Sequence, residues 1–465
     1  MDRARSTTLE GEQQDDAAAA RSTPRSESAA DLVTRYAPNH GGIWEGLADH
    51  LVAVGELGGK SAAAFGAGKW GRLLGRWHDL GKASDAFQSY LRRSVAGESL
   101  HKIDHSTVAA QLAAEHGQPG RLIAPLLAGH HGGLPDAAAM NGVTGRLSKS
   151  VPTWQPQAEA HLPGLLDDEG LAEWSLPFDL PAIGADRGGF ALATFARMLF
   201  SSLVDADSLV SERLEHPERE AIRQPRTVQE IGETFDEAVQ AFADDAERPE
   251  LNIIRAGILA ACRAAAKGDR GFYSLTVPTG GGKTIASLAF ALDHVRHHAR
   301  DEQPMRGVVY AIPFTSIIDQ TARVFCDLVG EDAVLEHHGQ VLREPKEKVN
   351  ETEKLHPLDL AAENFDHPLV VTTNVQLLES LFAAKRSRCR KLHQLAGRVL
   401  IFDEAQTLPV ALLKPTLMML RELVDRYGCT VVLCTATQPM LTKSARLPFG
   451  LPSVREIVAD PSELA

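Results

Sequence analysis

From Leu32 to about Ala243 the apolar residues recur at helical spacing, in Leu47–Leu57, Gly71–Leu80, Ser106–Glu115, Arg121–Gly129 and Phe190–Leu214. No alternating run that would make a strand interrupts them, so this part is expected to be all-α. Residues Val151–Gly189 break the pattern with Pro and Gly and read as a long connection holding a short helix. Residues 1–30 have few large apolar side chains and read as a disordered tail. Asp244–Glu250 (DDAERPE) reads as a charged linker. Beyond it the pattern changes. Short β-branched runs, Phe272–Val277, Gly307–Ile312, Pro368–Thr372, Val399–Phe402 and Thr430–Leu433, alternate with helical stretches. That alternation predicts a parallel sheet with crossover helices. The expected organisation is a tail over 1–30, a helical domain over 31–243, a linker over 244–250 and an α/β domain over 251–465.

Composition narrows the chemistry. With 465 residues and 44% hydrophobic residues there is material for several cores, and the net charge of −13 means that any nucleic-acid surface must be local. The five cysteines form no C-x-x-C pair, which argues against a disulfide framework or a thiolate zinc site. The N-terminus lacks an apolar signal region and no apolar run is expected to span a bilayer, so the expectation is a cytoplasmic chain with no membrane partner.

The helical part carries His50, His78, Asp79, His105, His130, His131 and Asp207 in or beside apolar helical segments. One histidine on such a face is an ordinary core residue. Seven His and Asp residues over five segments are better explained as a ligand set, because neutral imidazoles and carboxylates suit borderline transition metals and converging helices present them inward. The adjacent His78–Asp79 pair is the centre of this reading. A single carboxylate can bridge two ions about 3.5–4 Å apart, which would activate water and stabilise the leaving oxygen of a phosphodiester. Lys82 lies three residues on, near the phosphate or solvated at a helix end.

In the α/β part, SLTVPTGGGKTIASL runs from a strand through three glycines into a helix. Glycines let backbone N–H groups close on phosphates, Lys283 can reach the β- and γ-phosphates, and Thr284 can hold Mg²⁺. Pro278, Thr279, Gly280, Gly281, Gly282, Lys283 and Thr284 are thus the candidate ATP·Mg²⁺ contacts, although Val277 stands where the usual motif opens with Gly. VLIFDEAQTLP ends a buried strand on Asp403, for Mg²⁺, and Glu404, to orient the attacking water. Thr435–Thr437 (TAT) follows the last strand and offers hydroxyls that could couple hydrolysis to movement. Thr315 in AIPFTSIIDQ, and Thr372, Thr373 and Asn374 in TTNVQ, follow strands and offer donors to a phosphodiester chain. Arg386, Arg388 and Arg390 sit in a basic segment that reads either as a nucleic-acid contact or as a solvated face.

HDLGK with FQ following, GHHGG, LVDADSL, PTGGGKT, TTNVQ, DEAQ and TATQP together resemble the CRISPR-associated nuclease–helicases of type I systems, over about residues 32–460. The resemblance implies an HD-type metal nuclease joined to the first RecA-like domain of a superfamily 2 DExD/H-box helicase. It implies metal ligation by the seven residues named above, with His40 a rival for His50 and Asp205 for Asp207, and a catalytic role for Asp79, Lys82 and Glu404. The implied cofactors are two divalent ions, with Mn, Co, Ni or Fe favoured by the imidazoles, and ATP with Mg. The implied partners are single-stranded DNA, an RNA-guided surveillance complex, and a second RecA-like domain in cis or in trans. That second domain does not follow TATQP, so the chain is expected to be a fragment, a split-gene product or a truncated form. Two other readings remain open, an HD phosphohydrolase acting on nucleotides and a non-catalytic nucleic-acid-binding module.

Overall fold

A computed structural model describes residues 32–37, 42–136, 142–243, 249–278, 280–338, 356–436 and 441–458. The expected tail, residues 244–248 of the expected linker, His40, Thr279 and Thr437 lie outside these residues.

The first part is helical, as its periodicity predicts. Helices α1 (Leu47–Ala63) and α2 (Gly68–Trp77) form a tight antiparallel pair. Glycine makes that closeness possible. A Cβ on Gly71 would lie 2.3 Å from the Gly58 carbonyl oxygen, and one on Gly75 would lie 2.5 Å from the Gly55 nitrogen. Helix α3 (Asp85–Val95) is capped by Ser84, whose hydroxyl accepts from the Phe87 N–H. Helices α4 (Ser106–Ala114) and α5 (Gly117–Gly129) form a second pair. The long helix Ala185–Glu215 packs on α1, α2 and α5 around Trp70, Trp77, Phe195 and Phe200, all fully buried. By length and composition alone this helix could cross a bilayer, contrary to the expectation of no such run. However, 67% of its apolar window is buried inside the fold, so here it is a core helix.

One expectation for this part fails. Strands β1 (Val33–Ala37) and β2 (Ile43–Gly46) pair antiparallel and precede α1. Each is too short, and too mixed in polarity, for period-2 alternation to stand out.

The second part is a seven-stranded parallel sheet. The strands are β3 (Phe272–Thr276), β4 (Gly307–Ile312), β5 (Leu335–His337), β6 (Leu369–Thr373), β7 (Arg398–Phe402), β8 (Thr430–Thr435) and β9 (Arg455–Glu456). They lie in the order β5-β6-β4-β7-β8-β3-β9. The five central strands are buried throughout, as helices on both faces require, and they coincide with the β-branched runs of the sequence. The edge strands β5 and β9, of three and two residues, carry too little pattern to be seen in the sequence.

Two packing facts refine the division of the chain. Helix Val228–Ala243 buries Ile231 and Phe235 in the core of the sheet, so by packing the division falls before Val228. The two parts also share one apolar cluster, in which Met198, Leu199 and Phe200 join Leu417, Met419 and Leu420. The Arg187 guanidinium donates across the same seam to Glu422 Oε1 at 2.8 Å.

Candidate metal centre and nucleotide site

The close pairing of α1 and α2 sets His50 and His78 side by side, with ring centroids 5.4 Å apart. Asp79 follows His78 at the end of α2. Gly81 then lets the turn approach the backbone of His105, where a Cβ would lie 2.2 Å from the His105 carbonyl oxygen. His105 caps α4, His130 and His131 end α5, and Asp207 comes from the long helix. All seven residues expected as ligands converge.

Asp79 organises them by its two oxygens. Its Oδ1 lies 3.3 Å from His105 Nε2, 3.1 Å from His130 Nε2 and 3.9 Å from His131 Nε2. Its Oδ2 lies 3.3 Å from His78 Nε2 and 3.9 Å from His50 Nε2. Asp207 Oδ1 completes the second set at 3.4 Å from His50 Nε2 and 3.8 Å from His78 Nε2. Two groups of imidazoles therefore share one carboxylate.

The imidazoles are oriented from behind. The Nδ1–H groups of His78 and His130 donate to the carbonyl oxygens of Gly75 and Leu127 at 2.8 and 2.7 Å. His50 Nδ1–H donates to Glu45 Oε1 at 3.0 Å. Such bonds fix the tautomer that leaves Nε2 free for a metal. His50 Nε2 and His78 Nε2 are buried and make no hydrogen bond, which is costly in the absence of a ligand. Orphaned imidazole nitrogens beside a shared carboxylate fit divalent cations. Glu45 was missed in the sequence because it sits on the unforeseen strand β2; a carboxylate five residues before His50 was the only cue.

Charge in the cluster follows from this geometry. Burial alone would raise the Asp79 carboxyl, but Lys82, His78 and hydrogen bonds from His105 and His130 hold it well below the usual range. Asp207 is likewise held low against burial by His50 and His78. Burial opposes protonation of His78, yet Asp79 and Asp207 raise it to about 10, and His50 is raised by Asp207 and Glu45. Burial pushes His130 down and keeps it neutral; the half-exposed His131 is also lowered, by partial desolvation and then by the neighbouring His130.

The sign for metal binding is then set. An ion must displace the proton held by His78 at neutral pH, so uptake releases protons and tightens as pH rises. Titrating Mn²⁺ calorimetrically at pH 7 in two buffers of different ionisation enthalpy should show net proton release. Equal apparent enthalpies in the two buffers would contradict it.

Lys82 is neither solvated nor free. It is buried, with Nζ 2.7 Å from Asp79 Oδ2 and 2.7 Å from Thr34 Oγ1 on β1. Of the two rivals in LVDADSL, Asp207 faces His50 and His78, whereas Asp205 faces the other domain. Asp205 Oδ1 accepts from Arg390 Nε at 2.8 Å and its Oδ2 accepts from Asn364 Nδ2 at 3.1 Å.

The basic segment is corrected accordingly. Arg390 is bound to Asp205 and Glu363, and Arg386 is bound to Asp207 at 2.9 Å. Arg390 is largely buried, whereas Arg386 stays partly exposed beside its ion pair. Arg388 remains exposed, paired with Glu379 at 3.1 Å. Thr372, Thr373 and Asn374 are also buried, against expectation. The Thr372 hydroxyl donates to the His337 carbonyl, and the Thr373 hydroxyl caps helix Asn374–Phe382. Thr315 is exposed at the start of its helix. Because Asp205 is buried, Arg390→Ala should destabilise the protein by about 3–5 kcal/mol, the cost of leaving a buried charge unpaired. Chemical denaturation measures this, and a loss under about 1 kcal/mol, the range of a surface ion pair, would refute it.

In the sheet domain, β3 runs into the glycine loop and helix Lys283–His297 begins at Lys283. Gly280 and Gly282 adopt φ +85° and +82°, as the turn requires. Pro278, Gly281 and Thr284 lie within this loop and the first turn of its helix, and Thr279 lies outside the described residues. Val277 is fully buried and its N–H donates to the Thr435 carbonyl, so the unusual first position prolongs the strand. Lys283 Nζ pairs with Glu404 Oε1 at 2.9 Å. Asp403 Oδ1 accepts from the Glu404 N–H, and burial, then Glu404, raises the Asp403 carboxyl. The Thr435 hydroxyl donates to Gln406 Oε1 at 2.8 Å, and Gln406 Nε2 donates to Glu404 Oε2 at 2.6 Å. This connects the DEAQ stretch to the strand end that bears TAT.

Comparison with known proteins agrees with both halves. Residues 39–181 match the family described as Cas3, HD domain, and residues 259–444 match DEAD/DEAH box helicase. The CRISPR-associated nuclease/helicase Cas3 of Haloferax volcanii is 28% identical over 427 residues, covering 79% of this chain and 45% of that protein. Among solved structures, T. fusca Cas3 with ADP aligns at a TM-score of 0.57 and 19% identity, over 88% of this chain and 50% of that one. The ATP form of the same protein gives 0.56 and 19%, over 87% and 50%. At these identities the structural likeness shows the fold. The chain spans about half the length of the relatives it matches.

Proposed function

We propose that this chain, which couples an HD domain of the Cas3 type to a DEAD/DEAH-box helicase domain, is the nuclease and first motor domain of a type I CRISPR-associated nuclease–helicase that degrades single-stranded DNA. The observation that carries the reading is the division of Asp79, Oδ1 toward His105, His130 and His131 and Oδ2 toward His50 and His78. Two divalent ions bound there would supply Lewis acidity to the attacking and leaving oxygens of a phosphodiester. The chain's own residues hold the geometry. The Gly75 and Leu127 carbonyls and Glu45 orient the imidazoles, and Lys82 fixes one Asp79 oxygen. The imidazole-rich set favours Mn²⁺, Co²⁺, Ni²⁺ or Fe²⁺ over Mg²⁺.

The motor side is read from the Lys283–Glu404 pair. Bound phosphates would take Lys283 for themselves and release Glu404 to orient water, while Asp403 holds Mg²⁺. A second RecA-like domain, in cis or in trans, would supply the other wall of the ATP site. An RNA-guided surveillance complex would deliver the DNA, in the cytoplasm.

The test uses circular single-stranded DNA, free deoxynucleotides and Mn²⁺, with no ATP. Cleavage of the circle with no phosphate released from nucleotides supports the reading. Phosphate release from nucleotides alone would make the site that of an HD phosphohydrolase, and no turnover of either would leave a binding module.

A further inference from the structure

We propose that Arg386, from the helicase domain, is a positioning residue of the nuclease centre: it holds one oxygen of Asp207 so that only the other faces the metal set. This rests on the metal-nuclease reading above. Asp207 Oδ2 accepts from Arg386 Nη2 at 2.9 Å, while Oδ1 points to His50 and His78. A carboxylate free on both oxygens can rotate or chelate one ion with both. One oxygen held by a guanidinium leaves a single, aimed donor, and such outer partners tune metal affinity.

The arginine is itself held in place. Arg386 and Arg390 stand four residues apart, so they share one side of their short helical turn. Arg390 grips Asp205, two residues from Asp207 on the long helix. The chain just before is tied down as well. Arg197 donates to the Ala383 carbonyl at 2.6 Å, and the Leu134 N–H donates to the Ala384 carbonyl at 2.9 Å. Leu134 lies three residues after His131. Gly133 allows this approach, since a Cβ there would fall 2.3 Å from the Ala384 oxygen. The segment Ala383–Arg390 therefore touches both the helix that carries Asp207 and the loop after His130 and His131. The helicase domain forms part of the wall of the nuclease centre.

The experiment measures Mn²⁺ binding to the full 465-residue chain by the electron paramagnetic resonance of free Mn²⁺, with DNA absent. Arg386→Gln should weaken binding of the more weakly held ion by about 10–100-fold. Arg386→Lys, which keeps the charge without the fork, should fall between it and the wild type, and Arg388→Gln on the same turn should bind as the wild type does. Affinity for a single-stranded oligonucleotide, measured in EDTA, should be the same for Arg386→Gln and the wild type. Unchanged Mn²⁺ binding in Arg386→Gln overturns the proposal, and loss of DNA affinity alongside it would make Arg386 a phosphate contact instead. If Arg386→Gln does not fold, Arg386→Lys decides, with wild-type Mn²⁺ affinity counting against the proposal. A wild-type chain that binds no Mn²⁺ sinks the metal-centre reading itself, a separate failure.

Discussion

Asp79→Ala should reduce Mn²⁺-dependent cleavage of single-stranded DNA by at least about 10³-fold, the scale on which removing one member of an interdependent catalytic unit acts. The reason is in its two oxygens. No neighbour can replace a carboxylate that faces five imidazoles from between them. The substitution also strands Lys82, whose ammonium is buried against Asp79. A loss of folding would imitate a loss of chemistry, so Asp79→Asn combined with Lys82→Met serves as the control. It removes the ligand and the stranded charge together, and it should fold and remain inactive. Cleavage retained by a folded Asp79→Ala protein would refute the ligand assignment.

Lys283→Ala should remove ATP binding and lower any DNA-stimulated ATP turnover by about 10²–10³-fold, as loss of a preorganised charge on the reacting phosphate does. Cleavage without ATP should be untouched, because the phosphate loop contributes no residue to the metal cluster. The Lys283–Glu404 pair adds a second expectation. Glu404→Gln should abolish turnover yet bind ATP at least as tightly as the wild type, since the carboxylate that competes with phosphate for Lys283 is gone. Turnover measured with and without an added second RecA-like domain tests whether such a domain supplies the other wall of the ATP site. ATP binding weakened by Glu404→Gln would contradict the competition.

The parts of this molecule that local sequence encodes were legible in it. The buried parallel strands are short runs rich in β-branched, aromatic and other apolar residues, and β4 was bounded to the residue. The histidines that converge on Asp79 were legible as a set because they lie in or beside apolar helices, where a polar ring needs a reason. What escaped was decided by partners distant in the chain. Arg386 and Arg390 look like a solvated basic face until carboxylates 179 and 185 residues away are placed beside them. Asp205 and Asp207 are equivalent in a sequence. Two residues apart on a helix, they point in different directions, one to the metal set and one to the helicase domain. Thr34 and Glu45, which support Lys82 and His50, sit on a hairpin whose strands of five and four residues are too short to announce themselves.

On the proposed function, two ions share Asp79. Anomalous diffraction from crystals soaked in Mn²⁺ tests it most directly. Two peaks are expected about 3.5–4 Å apart astride the Asp79 carboxylate, one among His105, His130 and His131 and the other among His50, His78 and Asp207. A site that binds no ion, or ions bound without Asp79 between them, would contradict it.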